Sequence, residues 1–261
     1  ADANNPGAAV TNIGNATTGD LSLDGTIYTT GDVTTYTGAA IDLGTADPTF
    51  TTSNDNITFG TGNVTIRDDL TVNSTGGAIS FAGSILGSAG TDDTVTLNAN
   101  GGGGAKTVSV AAIGAANNLG NIKSVTLTGS GGITLAGNIF TGNTGANNVS
   151  FTGPVKLNAA TVVIDTDAAG NDGTVTFSST LDSADGTSRE LDIVSATGNV
   201  TITGAIGATT ALATLDINQA GGNGNITLTS NIGADASNAG VTGLTRIGNA
   251  ATADLNLNGT V

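Results

Sequence analysis

The side chains that most often attack, ligate or relay protons are missing here: the chain has no Cys, no His and no Met. No thiol nucleophile, disulfide framework or usual zinc or copper site is available. Carboxylates remain as the main candidates, 21 Asp and Glu against six Lys and Arg. Their densest run is Asp165-Thr166-Asp167-Ala168-Ala169-Gly170-Asn171-Asp172-Gly173. Hard oxygen donors at alternate positions about a Gly turn suit calcium, so Asp165, Asp167 and Asp172 are the candidate metal ligands. The spacing departs from a calcium loop, with Ala169 at its fifth position and Thr176 where a bidentate Glu belongs. A polar turn between strands is the plainer reading, and Asp68-Asp69, Asp92-Asp93 and the pair Asp182 and Asp185 read as solvated corners in the same way.

Other fragments of motifs fall short of the chemistry they suggest. Gly221-Gly222-Asn223-Gly224-Asn225 approaches a calcium-binding nonapeptide but has no Asp in place and no nine-residue repetition. Gly101 to Gly104 before Ala105-Lys106-Thr107 lacks the Gly-Lys-Ser/Thr spacing and the following helix of a phosphate loop. Cleavage of an acidic polysaccharide needs carboxylates about a sugar ring. Asp92-Asp93 faintly resembles the paired Asp of pectin-cleaving solenoids, yet the chain has no His, and Arg67, Arg189 and Arg246 lie far apart. Tyr28 and Tyr36 are the only tyrosines to offer a sugar a platform. The expectation is no enzyme, no catalytic residue and no cofactor other than calcium. Asn-x-Thr/Ser triplets at Asn56, Asn63, Asn148, Asn199 and Asn225 follow from the repeat's use of Asn and Thr.

The elements that carry these residues are short strands. Charged residues make up 10% and aromatics 3%, while 38% of the residues are hydrophobic and alternate with Thr, Ser and Asn. The pattern Gly-x-(Ile/Val)-(Thr/Ser)-(Leu/Phe/Ile) recurs at Gly77-Ala78-Ile79-Ser80-Phe81, Gly132-Ile133-Thr134-Leu135 and Gly173-Thr174-Val175-Thr176-Phe177. It returns at Gly198-Asn199-Val200-Thr201-Ile202 and Gly224-Asn225-Ile226-Thr227-Leu228. From Val175 to Val200, Ile226 and Leu255 the step is 25 to 29 residues, within the range of solenoid repeats. Companion strands such as Val95-Thr96-Leu97, Val125-Thr126-Leu127 and Leu191-Asp192-Ile193 give two or three strands per repeat. A longer repeat lies over these. Residues 12–27 match residues 246–261 at an offset of 234, with Ile13/Ile247, Gly14/Gly248, Asn15/Asn249, Asp20/Asp254 and Leu21/Leu255 in register.

A strand this short cannot bury its apolar side alone, whereas stacked coils cover one another. The expected fold is therefore all-β, a right-handed parallel β-helix (β-solenoid) of about ten coils. Ile133, Leu135, Val175, Phe177, Val200, Ile202, Ile226 and Leu228 point inward. Thr134, Thr176, Thr201 and Thr227 form outward ladders, and Gly and Asn take the corners. Residues 1–261 read as one continuous segment, about one unit of a tandem array, with Ala1 to Pro6 as a linker. The alternative is a string of small β-sandwich domains. A net charge of −15 repels phosphate backbones and anionic membranes, so nucleic acid and membrane insertion are not expected. No run of residues matches a membrane span or a signal peptide.

The stretches GNVTITGAIGA (198–208), GNITLTSNIGA (224–234) and GGITLAGNIFTG (131–142), in a Cys-free, acidic background, resemble the large bacterial repeat adhesins of filamentous-haemagglutinin-like and autotransporter-like type. The resemblance implies a parallel β-helix secreted to the bacterial cell surface. The implied role is that of rod, stalk, adhesin or extracellular filament. Its partners would be neighbouring repeats and identical chains, with surface glycans or host proteins as ligands.

Overall fold

The computed structural model describes residues 10–44, 46–88, 92–101, 104–116, 122–142, 147–167, 172–218, 222–234 and 240–260. The proposed linker at Ala1 to Pro6 lies outside them, as do Gly102, Gly103 and Gly221. The alternation read from the sequence becomes strands of two to eight residues, and no α-helix is present among the described residues. Most strands keep their aliphatic side inward and their hydroxyl side outward, the period of two that a pleated chain imposes, while Thr34, Thr52 and Ser74 turn buried hydroxyls inward. Val175–Phe177, Val200–Ile202 and Ile226–Leu228 share one burial pattern, with the middle Thr facing out.

Every strand pairs in parallel with its counterpart one coil away, so the chain winds as a parallel β-solenoid rather than as antiparallel sandwiches. Three faces alternate along the sequence. The first begins with Val10–Ile13, the second with Asp20–Leu23, and the third with Ile27–Thr30. The third face has ten strands and hence nine coil-to-coil steps, about nine turns where the sequence suggested about ten coils. Single bridges through Ile113 carry the second face across its gap, and bridges through Ile206 and Ile232 extend the first. The step varies from 20 residues, Leu21 to Ile41, to 30 residues, Val95 to Val125. The extra residues are accommodated at the corners. The Val175, Val200, Ile226 and Leu255 series stacks as expected.

Stacking turns repeated residues into columns. Phe151, Phe177, Ile202 and Leu228 form one, and all are buried in a single hydrophobic cluster running from Tyr36 to Leu228. Near the first coils the columns are aromatic. Tyr36, Phe59 and Phe81 stack at centroid spacings of 4.9 and 4.3 Å, while Tyr28 lies over Phe50 at 4.6 Å. The two stacks meet edge-on at Phe50 and Phe59, an arrangement aromatic rings favour. At the ends the inward columns are less covered: Ile13, Leu21, Leu23 and Tyr28 are only partly buried at one, and Leu255 and Leu257 lie open at the other.

The corners explain the remaining composition. A Cβ on Gly198 would lie 2.1 Å from the carbonyl oxygen of Gly173, and one on Gly224 only 1.9 Å from that of Gly198. Glycine opens the recurring motif because consecutive coils touch there. Corner asparagines pass hydrogen bonds up the stack. Asn148 Oδ1 accepts from the Thr174 amide at 2.8 Å, and Asn199 Oδ1 from that of Asn225 at 2.9 Å. Inside the bends, the buried hydroxyls of Thr141, Thr166 and Ser195 donate to the carbonyls of Asn147, Gly173 and Gly198. Each satisfies a carbonyl whose burial without a partner costs free energy.

The two copies of the longer repeat occupy different faces. Ile13 pairs with Tyr36 in the first face, but its match Ile247 pairs with Ile217 in the second. Leu21 lies in the second face and its match Leu255 in the third. Replacing Gly198 by Ala is expected to lower stability by about 1–3 kcal/mol through overpacking. Ile202→Ala should cost about 2–5 kcal/mol through the cavity it leaves. Urea-unfolding midpoints measure both, and an unchanged midpoint for Gly198→Ala contradicts the close corner approach.

Candidate functional site

What a solenoid offers a partner is its outward columns, and the three faces differ in chemistry. On the third face one column runs Ile27, Thr49, Thr71, Thr96, Thr126, Ser150, Thr176, Thr201, Thr227 and Asn256. Two residues further along each strand runs a second, including Thr51, Asn73, Asn98, Thr128 and Thr152. Neither column contains a charged or aromatic residue. The outward Thr ladder expected from the sequence is therefore here for Thr176, Thr201 and Thr227. Thr134 belongs elsewhere. It pairs with Ser109 and Lys156 on the first face, whose single hydroxyl column ends in Lys156 and Asp182.

The second face carries charge. Arg67 clasps Asp42 on the preceding coil, donating from Nε at 2.8 Å and Nη2 at 2.5 Å, and this holds the Asp42 carboxyl below the usual range. Both groups are solvent-facing, so the pair contributes at most about 1 kcal/mol. Five coils on from Arg67, Asp192 and Asp216 occupy neighbouring coils of one column, followed by Arg246, which pairs with Asp216. Partial burial, and then the charge of Asp216, push the Asp192 carboxyl up, against the opposing pull of Arg246.

The calcium candidates sit at the edge of this face. Asp165 ends the strand Thr161–Asp165 and accepts from the Asp167 amide at 2.8 Å. Burial raises the carboxyls of both, and at Asp167 a shared hydrogen bond with Asp172 adds to the effect. Asp172 is instead held low by the Thr197 hydroxyl, and it also accepts from the Thr197 amide at 3.0 Å. The structure thus brings Asp167 and Asp172 together, but commits Asp172 to cross-coil bonding. Among the described residues no group of three His, Cys, Asp or Glu is arranged to hold a metal ion. Gly170 and Asn171 of this run lie outside the described residues.

The other acidic pairs are divided by the strand geometry. Asp93 is buried and takes the Ser88 amide at 3.2 Å, while Asp92 is exposed, 3.9 Å from Lys123. Asp182 is buried and caps the amides of Thr209 and Thr210, whereas Asp185 is exposed in a turn with φ of 53°. Asp69 accepts from the Thr94 amide at 2.7 Å, and Asp68 raises the neighbouring Asp47 carboxyl by its charge. Arg67 and Arg246 serve separate pairs, and Arg189 lies at a corner, its amide donating to Ser183. Tyr36, which could have offered a sugar a platform, is instead a core residue. Burial, followed by the charge of Tyr28, pushes its hydroxyl up to about 12. Tyr28 stacks on Phe50, with its hydroxyl accepting from the Gly25 amide at 2.6 Å.

No protein-family model, curated protein or solved structure matches the chain. Among the described residues no helix is long and apolar enough to cross a membrane. The doubled hydroxyl column of the third face matches none of the motifs that mark catalytic or metal sites. Its signal in the sequence is a hydroxyl-apolar-hydroxyl tripeptide that recurs once per coil, from Thr126-Leu127-Thr128 and Ser150-Phe151-Thr152 on to Thr201-Ile202-Thr203.

Two titrations test these environments. Phenolate absorbance should show a tyrosine ionising near 12 that Tyr36→Phe removes, with stability lost as pH rises from 10 toward that value. Because the Asp192 carboxyl is raised, its ionised form opposes folding, so Asp192→Asn should raise the melting temperature at pH 7. That gain should fade as the pH falls through the carboxylate range, and a gain independent of pH would contradict the assignment.

Proposed function

We propose that this chain is an extracellular structural segment, a rod-like β-solenoid module of a longer bacterial surface or filament protein. One observation carries the reading: each coil is the cover of the next, and the first and last coils leave their apolar columns open. Of the inward side chains, Leu255 is 46% exposed and Leu257 43% at one end, and Ile13, Leu21, Leu23 and Tyr28 are only partly buried at the other. A neighbouring coil, from a further unit or an identical chain, is the partner that covers them. The second copy of the 12–27 motif at 246–261 supports serial units. An acidic, Cys-free composition suits a long chain exported unfolded, and the resemblance to repeat adhesins points to the bacterial surface. A binding role toward glycans or host proteins would use the outward columns, with the solenoid as their support.

Small-angle scattering tests the rod. A chain in which residues 12–245 are repeated once should keep the cross-section of the single chain and lengthen by about 45 Å, at roughly 4.8 Å per coil. A thicker particle of unchanged length overturns the reading. Antibodies to the chain should label intact source cells, and labelling only after permeabilisation overturns the extracellular assignment.

A further inference from the structure

We propose that the third face binds ice, its paired hydroxyl columns bonding to the surface lattice of frozen water. Five consecutive coils present hydroxyl-apolar-hydroxyl tripeptides, at 126–128, 150–152, 176–178, 201–203 and 227–229. The first column pairs without a register shift through all five coils. In the second, Thr128 pairs with Thr152, and Ser178, Thr203 and Thr229 follow the strand ends, their amides still bonded to the carbonyls of Phe151, Phe177 and Ile202 on the coil before. Neighbouring coils lie about 4.8 Å apart, and residues two apart in a strand about 6.6 Å apart. The coil repeat is close to the shorter oxygen repeat on a prism face of hexagonal ice, and the in-strand repeat lies nearer the longer one but below it.

A ligand matched in both directions must itself be a lattice, and the chemistry of the face selects water. Each hydroxyl donates one hydrogen bond and accepts two, as a surface meeting ice must do. Among the described residues none of these ten hydroxyls is bonded to the protein. β-Branching restricts the rotamers of the eight Thr, and coil-to-coil backbone bonds hold the chain at and just beyond the strands, so little order remains to be imposed on binding. No charge with its own hydration shell interrupts either column, although the chain carries a net −15. The Tyr and Phe residues of this face, Tyr28, Phe50, Phe151 and Phe177, lie in the inward column, which leaves no stacking platform for a sugar ring. The proposal stands apart from the rod reading, since a single chain contains all five coils.

Ice-crystal microscopy and freezing-hysteresis measurements on the chain provide the test. Faceted crystals are expected, with a gap between melting and freezing points that widens with concentration. Lysine at the centre of the array, in the double variant Thr176→Lys and Thr201→Lys, should reduce that gap several-fold. Thr58→Lys, in the first-face column, should leave it unchanged; circular dichroism and melting establish that both variants fold. A folded chain without hysteresis overturns the proposal, as does an equal loss in the Thr58 variant. Two other occupants would also overturn it: a second copy, seen as a dimer that the double variant dissolves, or an insoluble polysaccharide, seen as co-sedimentation without ice shaping.

Discussion

Parallel register between one coil and the next is the constraint on which everything else in this molecule depends. A three-residue strand such as Val200–Ile202 has no core of its own, and its inward side chains are dry only because Val175 and Phe177 lie on one side and Ile226 and Leu228 on the other. The same constraint selects residues at the corners. Where Gly198 approaches Gly173 there is no space for a side chain, and where the bend buries a carbonyl, a Ser or Thr hydroxyl reaches it. A composition poor in charge and rich in Gly, Asn and Thr is what such a cross-section demands. The longest-range order in the chain is thus the product of its most local repetition.

The fold was largely legible because its determinants are periodic. The spacing of Val175, Val200, Ile226 and Leu255 gave the stacking series directly, and alternation gave the inward and outward sides. What the spacing could not convey was the face on which a motif falls. Gly132-Ile133-Thr134-Leu135 and Gly198-Asn199-Val200-Thr201-Ile202 look alike, yet they lie on the first and third faces. A strand of this kind fits any side of the coil, and loop lengths from corner to corner decide which it takes. The acidic residues were harder to place, because pairs adjacent in sequence separate in space. Asp93 turns inward while Asp92 meets solvent, and no reading of composition anticipates that split.

The faces also divide the electrostatic work. Charge collects on the second face and at the corners, where Arg67 and Arg246 each neutralise a carboxylate on the neighbouring coil. The third face keeps a neutral hydroxyl surface beside it. Parallel stacking makes this separation natural, because any preference at one position is repeated up the column and amplified into a stripe. Aromatic residues follow the same logic inside, where Tyr36, Phe59 and Phe81 turn a single large side chain into a continuous stack.

The placement of Ile247 one face beyond Ile13 has a geometric consequence for any longer array. A unit that advances by whole coils would repeat its surface at a constant azimuth. This one advances by nine coils and one side of the triangle, so a following unit in the same register begins a third of a revolution further on. Such a fibre is a threefold screw of units, regaining its starting orientation after three of them. Its hydroxyl plane would then face three directions in turn, and no single flank would hold an unbroken strip.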